Sequence, residues 1–530
     1  MRTPAPEAPR TLVDPVRQVS TGRARQVAHA LCALLLAACS KSESPASRSG
    51  PTADAGSAAD SGDAAAPPAR PRPAGPAADV SEEITGAKAP FIGAATGLTV
   101  PDGYVEAEYV AAGTAASYAA KGTLTDDGRW SFEAGTTASY RTRVLVRRPA
   151  KAAEFSGTVI VEWLNVSGGL DANPDYASLE EEITREHHAW VGVSAQLIGI
   201  AGGPVLVSIP GTENLGVGKG LVVVDPERYG SLQHPGDGYS FDIFTQVARA
   251  ALAGGPLLGG ARPRIVLAAG ESQSAIALTT YYDGVQPLTL AFDGFFVHSR
   301  GSVSLPLVDP GKYADLTGAF VTTTRPLFRD DLDAPVLELQ AESDVTGVLD
   351  SFAVRQPDSD TFRLWEVAGT SHADAHLLGS MASSIDCGAP INDGPMHLVA
   401  KAAFHGFEAW SRGGAAPPPA PLLDVSAADG GTPAVQRDGD GIALGGIRTP
   451  PVDVPVDTLS GEPGPSTALI CILLGSTKPL PSARLTALYP TRAAYQQKYD
   501  TGVSSTIEAG FVLDADRAAL AAFAEPSRIP

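Results

Sequence analysis

An α/β protein with a mostly parallel central sheet flanked by helices is the fold class this sequence predicts. Three observations predict it. Short apolar runs alternate along the chain with stretches of helical periodicity. One of those runs, 265–269, leads through Gly270-Glu271-Ser272-Gln273-Ser274 into a small-residue segment of helical composition. The chain has 530 residues and is 44% hydrophobic, enough to bury a substantial core.

The N-terminus lies outside that pattern. Arginines at Arg2, Arg10, Arg17, Arg23 and Arg25 precede a mostly apolar run from Val27 to Ala38. The run is too short to span a bilayer and suits the apolar region of a secretory signal. Leu36-Ala37-Ala38-Cys39 resembles a bacterial lipobox. Residues 1–39 therefore read as a signal peptide, with Cys39 as the lipidated residue of an exported, envelope-anchored protein. Simple cleavage after small residues is the alternative. Residues 40–88 are rich in Ser, Ala, Pro, Gly and Asp and lack apolar periodicity, which predicts a disordered linker. Residues 89–530 read as the folded domain.

Within it, residues 140–147 alternate apolar and polar, as an edge or half-buried strand does. Residues 158–165 read as a strand with a buried first half, 178–186 as a charged helix and 189–195 as a buried strand. Residues 241–252 place Phe241, Phe244 and Ala248 at helical spacing. Strands follow at 265–269, 334–340 and 362–367, then a helix at 395–410 closed by Gly413 and Gly414. Trp163, Trp190 and Trp365 sit in strand patterns and read as core. Segments 203–239 and 302–333 are long and irregular, candidates for a lid. The extension 417–530 opens on three prolines, shows few regular elements and is expected to pack onto the main domain.

The net charge of −20 argues against nucleic acid as a partner. It leaves the N-terminal lipid as the expected membrane contact. Of the four cysteines, Cys32 leaves with the signal and Cys39 carries lipid. Cys387 and Cys471 remain, and in an oxidising compartment they are expected to pair. Their spacing to histidine suits no zinc site, and no phosphate loop follows a strand. No cofactor or metal is expected. Asp438-Gly439-Asp440-Gly441 lacks the continuation of a calcium loop and reads as a turn.

A serine nucleophile needs a general base, and the base needs an orienting acid. If Ser272 sits on a sharp strand-to-helix turn, the acid and then the histidine should follow, each just after a strand. Asp344 follows the strand at 334–340, with Glu342 as the alternative acid, and His372 follows the strand at 362–367. His298 and His376 are rival histidines. Asp374 reads as a helix-start residue. For the oxyanion, Gln273 offers a backbone N–H directly after the nucleophile. The glycine-rich run Asn165-Val166-Ser167-Gly168-Gly169 offers a second, from Val166 or Ser167.

Segments 161–166, 190–196, 270–274 and 445–448 resemble the bacterial family named for its α/β-hydrolase domain, and the resemblance to the α/β-hydrolase fold covers about residues 158–405. That resemblance implies Ser272 as nucleophile, Asp344 as acid and His372 as base. Ser274 departs from the family's G-x-S-x-G pattern, where a second glycine lets strand and helix approach closely. The expected activity is hydrolysis of carboxylic esters, on small-molecule, lipid or polymer substrates. The alternatives are an amidase, peptidase or thioesterase using the same residues, or a hydrolase-like binding protein without catalysis.

Overall fold

A computed structural model describes residues 72–93, 96–97, 99–206, 217–320, 322–426, 431–466 and 468–530. The signal and lipobox reading, with Cys39, lies outside the described residues. So does the linker up to residue 71.

The main sheet has nine strands: β1 (Asp79–Glu83), β2 (Tyr104–Ala120), β3 (Phe132–Pro149), β4 (Thr158–Trp163), β5 (Ala189–Val193), β6 (Ile265–Glu271), β7 (Gly294–His298), β8 (Val336–Ala341) and β9 (Phe362–Val367). Their order is β1-β2-β3-β5-β4-β6-β7-β8-β9. From β5 to β9 every pairing is parallel, while β1, β2 and β3 join as an antiparallel wing. Helices cover both faces, as the parallel strands require. Side chains alternate across β4 accordingly. Val159, Val161 and Trp163 join one core with Phe241 and Phe244, while Ile160 joins the opposite core with Trp190, Trp365 and Phe404.

Two expectations need correction. The linker does not extend to residue 88. Asp79–Glu83 pairs with β2, and Arg72 reaches Asp293 at 2.6 Å. Ala- and Pro-rich composition hid a strand that is stabilised by pairing rather than by its own apolar pattern. The strand at 140–147 is neither an edge nor half-buried. It lies between β2 and β5, and its polar positions include the buried Arg143 and Arg147. Arg143 pairs with Glu108 at 3.1 Å and Asp171 at 2.7 Å, and Arg147 with Glu106 at 2.8 Å. Paired guanidinium groups gave an internal strand the alternation of an exposed one.

The extension after residue 417 is also more regular than expected. It contains a hairpin, Asp457–Ser460 with Ser476–Pro479, and a long helix, Arg492–Glu508. Tyr495, Tyr499 and Val503 of that helix join the core around Trp365. Cys387 and Cys471 form a disulfide with Cα atoms 5.5 Å apart, tying the extension to the main domain. In the two irregular segments, Asp237 accepts from the Leu197 and Ala314 N–H groups at 2.7 and 2.8 Å, and Leu305 N–H bonds to Ile276 O. Residues 207–216 of the first lie outside the described residues. Asp438 accepts from the N–H groups of Asp440 and Ile442, closing the expected turn.

Candidate active site

β6 ends at Glu271 and the helix Gln273–Thr280 starts two residues later, leaving Ser272 alone at the turn. Its backbone has φ 62° and ψ −119°, a region that non-glycine residues rarely occupy. Ser272 N–H is held by His298 O at 2.9 Å. The tight approach is accommodated at Gly270, where a Cβ would lie 3.0 Å from Ser274. Ser274 is therefore small enough for the turn, although it replaces the family's glycine.

The loops after β8 and β9 bring the next two residues to this turn. His372 Nε2 lies 2.9 Å from Ser272 Oγ, and His372 Nδ1 lies 2.8 Å from Asp344 Oδ1. Asp344 Oδ2 accepts from Ser299 Oγ at 2.6 Å and Ala341 N–H at 2.8 Å, so the carboxyl group is fixed on both sides. Ser343 Oγ accepts from His372 N–H at 2.6 Å. A carboxylate facing Nδ1 takes the proton on that nitrogen as a hydrogen bond and leaves the Nε2 lone pair on Ser272 Oγ. Asp344 is fully buried, while Ser272 and His372 keep 6% and 5% exposure.

The alternative residues lie elsewhere. Glu342 accepts from Arg437 at 2.6 Å and from the N–H groups of Gly369 and Gly461 at 2.7 and 2.8 Å. It anchors the extension and does not orient His372. His376 stacks on His397 with ring centroids 3.7 Å apart, and His298 faces Asp175. Asp374 caps its short helix by accepting from Leu377 N–H at 2.8 Å.

Gln273, the first residue of its helix, has an N–H without an intrahelical acceptor. The two candidates for the second donor both carry internal partners. Val166 N–H donates to Gln273 Oε1 at 3.2 Å, and Ser167 N–H donates to Asn165 Oδ1 at 2.9 Å. Neither is a free donor here, because carboxamide side chains fold back onto the turn. Asn165 Nδ2 also bonds to Glu271 O at 3.0 Å, fastening this turn to the end of β6.

Gln196 went unnoticed in the sequence. Its Oε1 accepts from Trp163 Nε1 at 3.0 Å and from Gln273 Nε2. Its carboxamide therefore supports the Gln273 side chain that holds Val166. A glutamine after a strand carries no periodic signal; its value comes from what the neighbouring strands bring to it.

The order of the strands, with a nucleophile-type turn after β6, an acid after β8 and a histidine after β9, defines an α/β hydrolase. Residues 71–522 match the family described as an alpha/beta hydrolase domain, and the chain belongs to that family. No curated protein matches it in sequence. Among solved structures, similar chains include a fungal esterase from Rhizomucor miehei, at 10% identity and TM-score 0.30, covering 56% of this chain and 84% of that one. A thermostable esterase from Pseudomonas putida has 12% identity and TM-score 0.27, covering 57% and 83%. An alpha-beta serine hydrolase homologue from Coxiella burnetii has 15% identity and TM-score 0.24, covering 43% and 82%. These are distant likenesses.

Proposed function

We propose that this hydrolase cleaves carboxylic esters through Ser272, His372 and Asp344 by way of an acyl-enzyme. The observation that carries the reading is the continuous line from Ser272 Oγ through both imidazole nitrogens to Asp344, starting from a strained serine. His372 Nε2 takes the Ser272 proton as Oγ attacks the ester carbonyl. Asp344 stabilises the resulting imidazolium. His372 then gives the proton to the leaving alcohol, and water repeats the sequence to release the acid.

The oxyanion accepts hydrogen bonds from Gln273 N–H and from one donor of the 165–169 turn. Val166 is the easier donor to recruit, since its 3.2 Å contact to Gln273 Oε1 is longer than the 2.9 Å bond that holds Ser167. The substrate carbonyl would take the place of the Gln273 side chain on that N–H.

Turnover of p-nitrophenyl acetate and butyrate, set against the matching p-nitroanilides, tests the reading. Ester hydrolysis with anilides at least about 10²-fold slower is expected. Faster anilide turnover would assign an amidase, and no turnover by folded protein would favour a binding role. The N-terminal sequence supports export and anchoring through Cys39. Metabolic palmitate labelling that disappears in Cys39→Ser is the expected outcome, and unlabelled, cleaved protein would mean a plain signal.

A further inference from the structure

Buried carboxylates in this protein commonly face a guanidinium or ammonium group. Glu108 and Asp171 face Arg143, Glu338 faces Arg300 at 3.0 Å, Glu366 faces Arg355 at 2.6 Å, and Asp516 faces Lys401 at 2.9 Å. At one cluster an imidazole stands in place of such a cation. Glu271 at the end of β6, His298 at the end of β7 and Asp175 in the first turn of the helix Pro174–Arg185 converge beside the nucleophile's strand. His298 Nδ1 lies 3.1 Å from Asp175 Oδ1 and 3.4 Å from Glu271 Oε2. In both ion pairs the partner is this imidazole, not a lysine or arginine. One donor atom from each of the three residues lies within 4.8 Å of the other two.

All three side chains are buried, at 1%, 3% and 3% exposure for Asp175, Glu271 and His298. Asp175 Oδ2 and Glu271 Oε2 have no hydrogen-bond partner. A buried oxygen left without a hydrogen bond is costly; Asp175 Oδ2 has none, and Glu271 Oε2 has only its 3.4 Å contact with the imidazole. A further carboxylate stands beside them. Glu162 accepts from the N–H groups of Asp175 and Tyr176 and from Trp190 Nε1. The cluster thus gathers carboxylate oxygens around one imidazole in a buried site, and a bound cation would draw on their lone pairs.

We propose that Asp175, Glu271 and His298 bind one divalent first-row metal ion, of the Zn²⁺ or Mn²⁺ kind, as a structural centre next to the nucleophile. An ion about 2.1 Å from each donor sets neighbouring donors about 3.0–3.6 Å apart; the two His298 contacts, at 3.1 and 3.4 Å, fall in that range, and the two carboxylate oxygens lie within 4.8 Å of each other. One imidazole with two carboxylates suits such ions better than the all-oxygen shells of Ca²⁺ and Mg²⁺. The ion would tie β6, β7 and the helix Pro174–Arg185 together. His298 O already holds Ser272 N–H, so the centre would also steady the nucleophile's turn. The inference rests on the cluster's geometry and is independent of the ester reading.

Metal content of the purified chain, measured by elemental mass spectrometry before and after incubation with ZnCl2 or MnCl2, tests it together with thermal melting. About one equivalent per chain is expected. Tm should fall by several degrees with EDTA and recover with the ion. Asp175→Asn and Glu271→Gln should each lose the metal and the response to EDTA. Should either variant fail to fold, the metal content and melts of the wild-type chain decide. Less than about 0.1 equivalent, with a Tm that neither ion moves, overturns the proposal. So does a metal that survives in both variants and disappears in His405→Ala, which would place it at the outer group Glu182, Glu186 and His405.

Discussion

Ser272 holds a backbone conformation that costs about 1–3 kcal/mol in a non-glycine residue, and its neighbours sustain it through the His298 O contact and the helix that follows. Two results should separate strain from chemistry. Ser272→Ala should remove ester turnover at nearly unchanged stability. Ser272→Gly should remove turnover and unfold at higher denaturant, by about 1 kcal/mol, as measured in urea titrations; equal stability of the two variants would mean the turn is unstrained. Gln196 supports the site at one remove. Gln196→Ala frees the Gln273 carboxamide and with it the Val166 turn, so kcat should fall by up to about 10²-fold while KM stays nearly constant. A change confined to KM would assign Gln196 to substrate binding. Ser272, Asp344 and His372 stood out in the sequence because each closely follows an apolar strand. Gln196, Ser299 and Ser343 also follow strands, but none is a residue type that a serine, acid and histidine mechanism calls for at its place in the order. They are ordinary polar loop residues whose partners come from distant strands.

At the scale of elements, strands with Val, Ile and Trp were legible and strands built from alanine were not. β2 contains Ala-Ala-Gly-Thr-Ala-Ala, mostly residues of low strand propensity, and is stabilised by pairing along its length with β3. The extension carries helices whose apolar residues face a core that exists only once the sheet has formed. Its disulfide closes a sequence separation of 84 residues. Cys387→Ser with Cys471→Ser should therefore cost about 2–4 kcal/mol, visible as a lower urea midpoint than the oxidised wild type and matched by wild type under reductant. Identical midpoints would mean that packing alone holds the extension.

The whole molecule joins its helices, sheet and extension around two main cores, so stability is a shared property and pH acts on all of it. His188 is buried against Ser156, and burial lowers its pKa from 6.5 to about 4. Its folded-state pKa is depressed, so the unfolded chain binds the proton more readily below pH about 6.5. Stability from this residue is complete above that value and is lost as pH falls towards 4. His188→Gln should flatten the fall in Tm between pH about 6.5 and 4 relative to wild type. Parallel curves would show that His188 titrates alike in both states.

The central claim is an activated serine at position 272. A fluorophosphonate probe, followed by peptide mass spectrometry, tests it most directly, because the probe reports nucleophilicity whatever the substrate is. A single adduct on Ser272 is expected, absent from Ser272→Ala and from a folded His372→Ala. An unlabelled but folded wild-type protein, or an adduct on another serine, would contradict it.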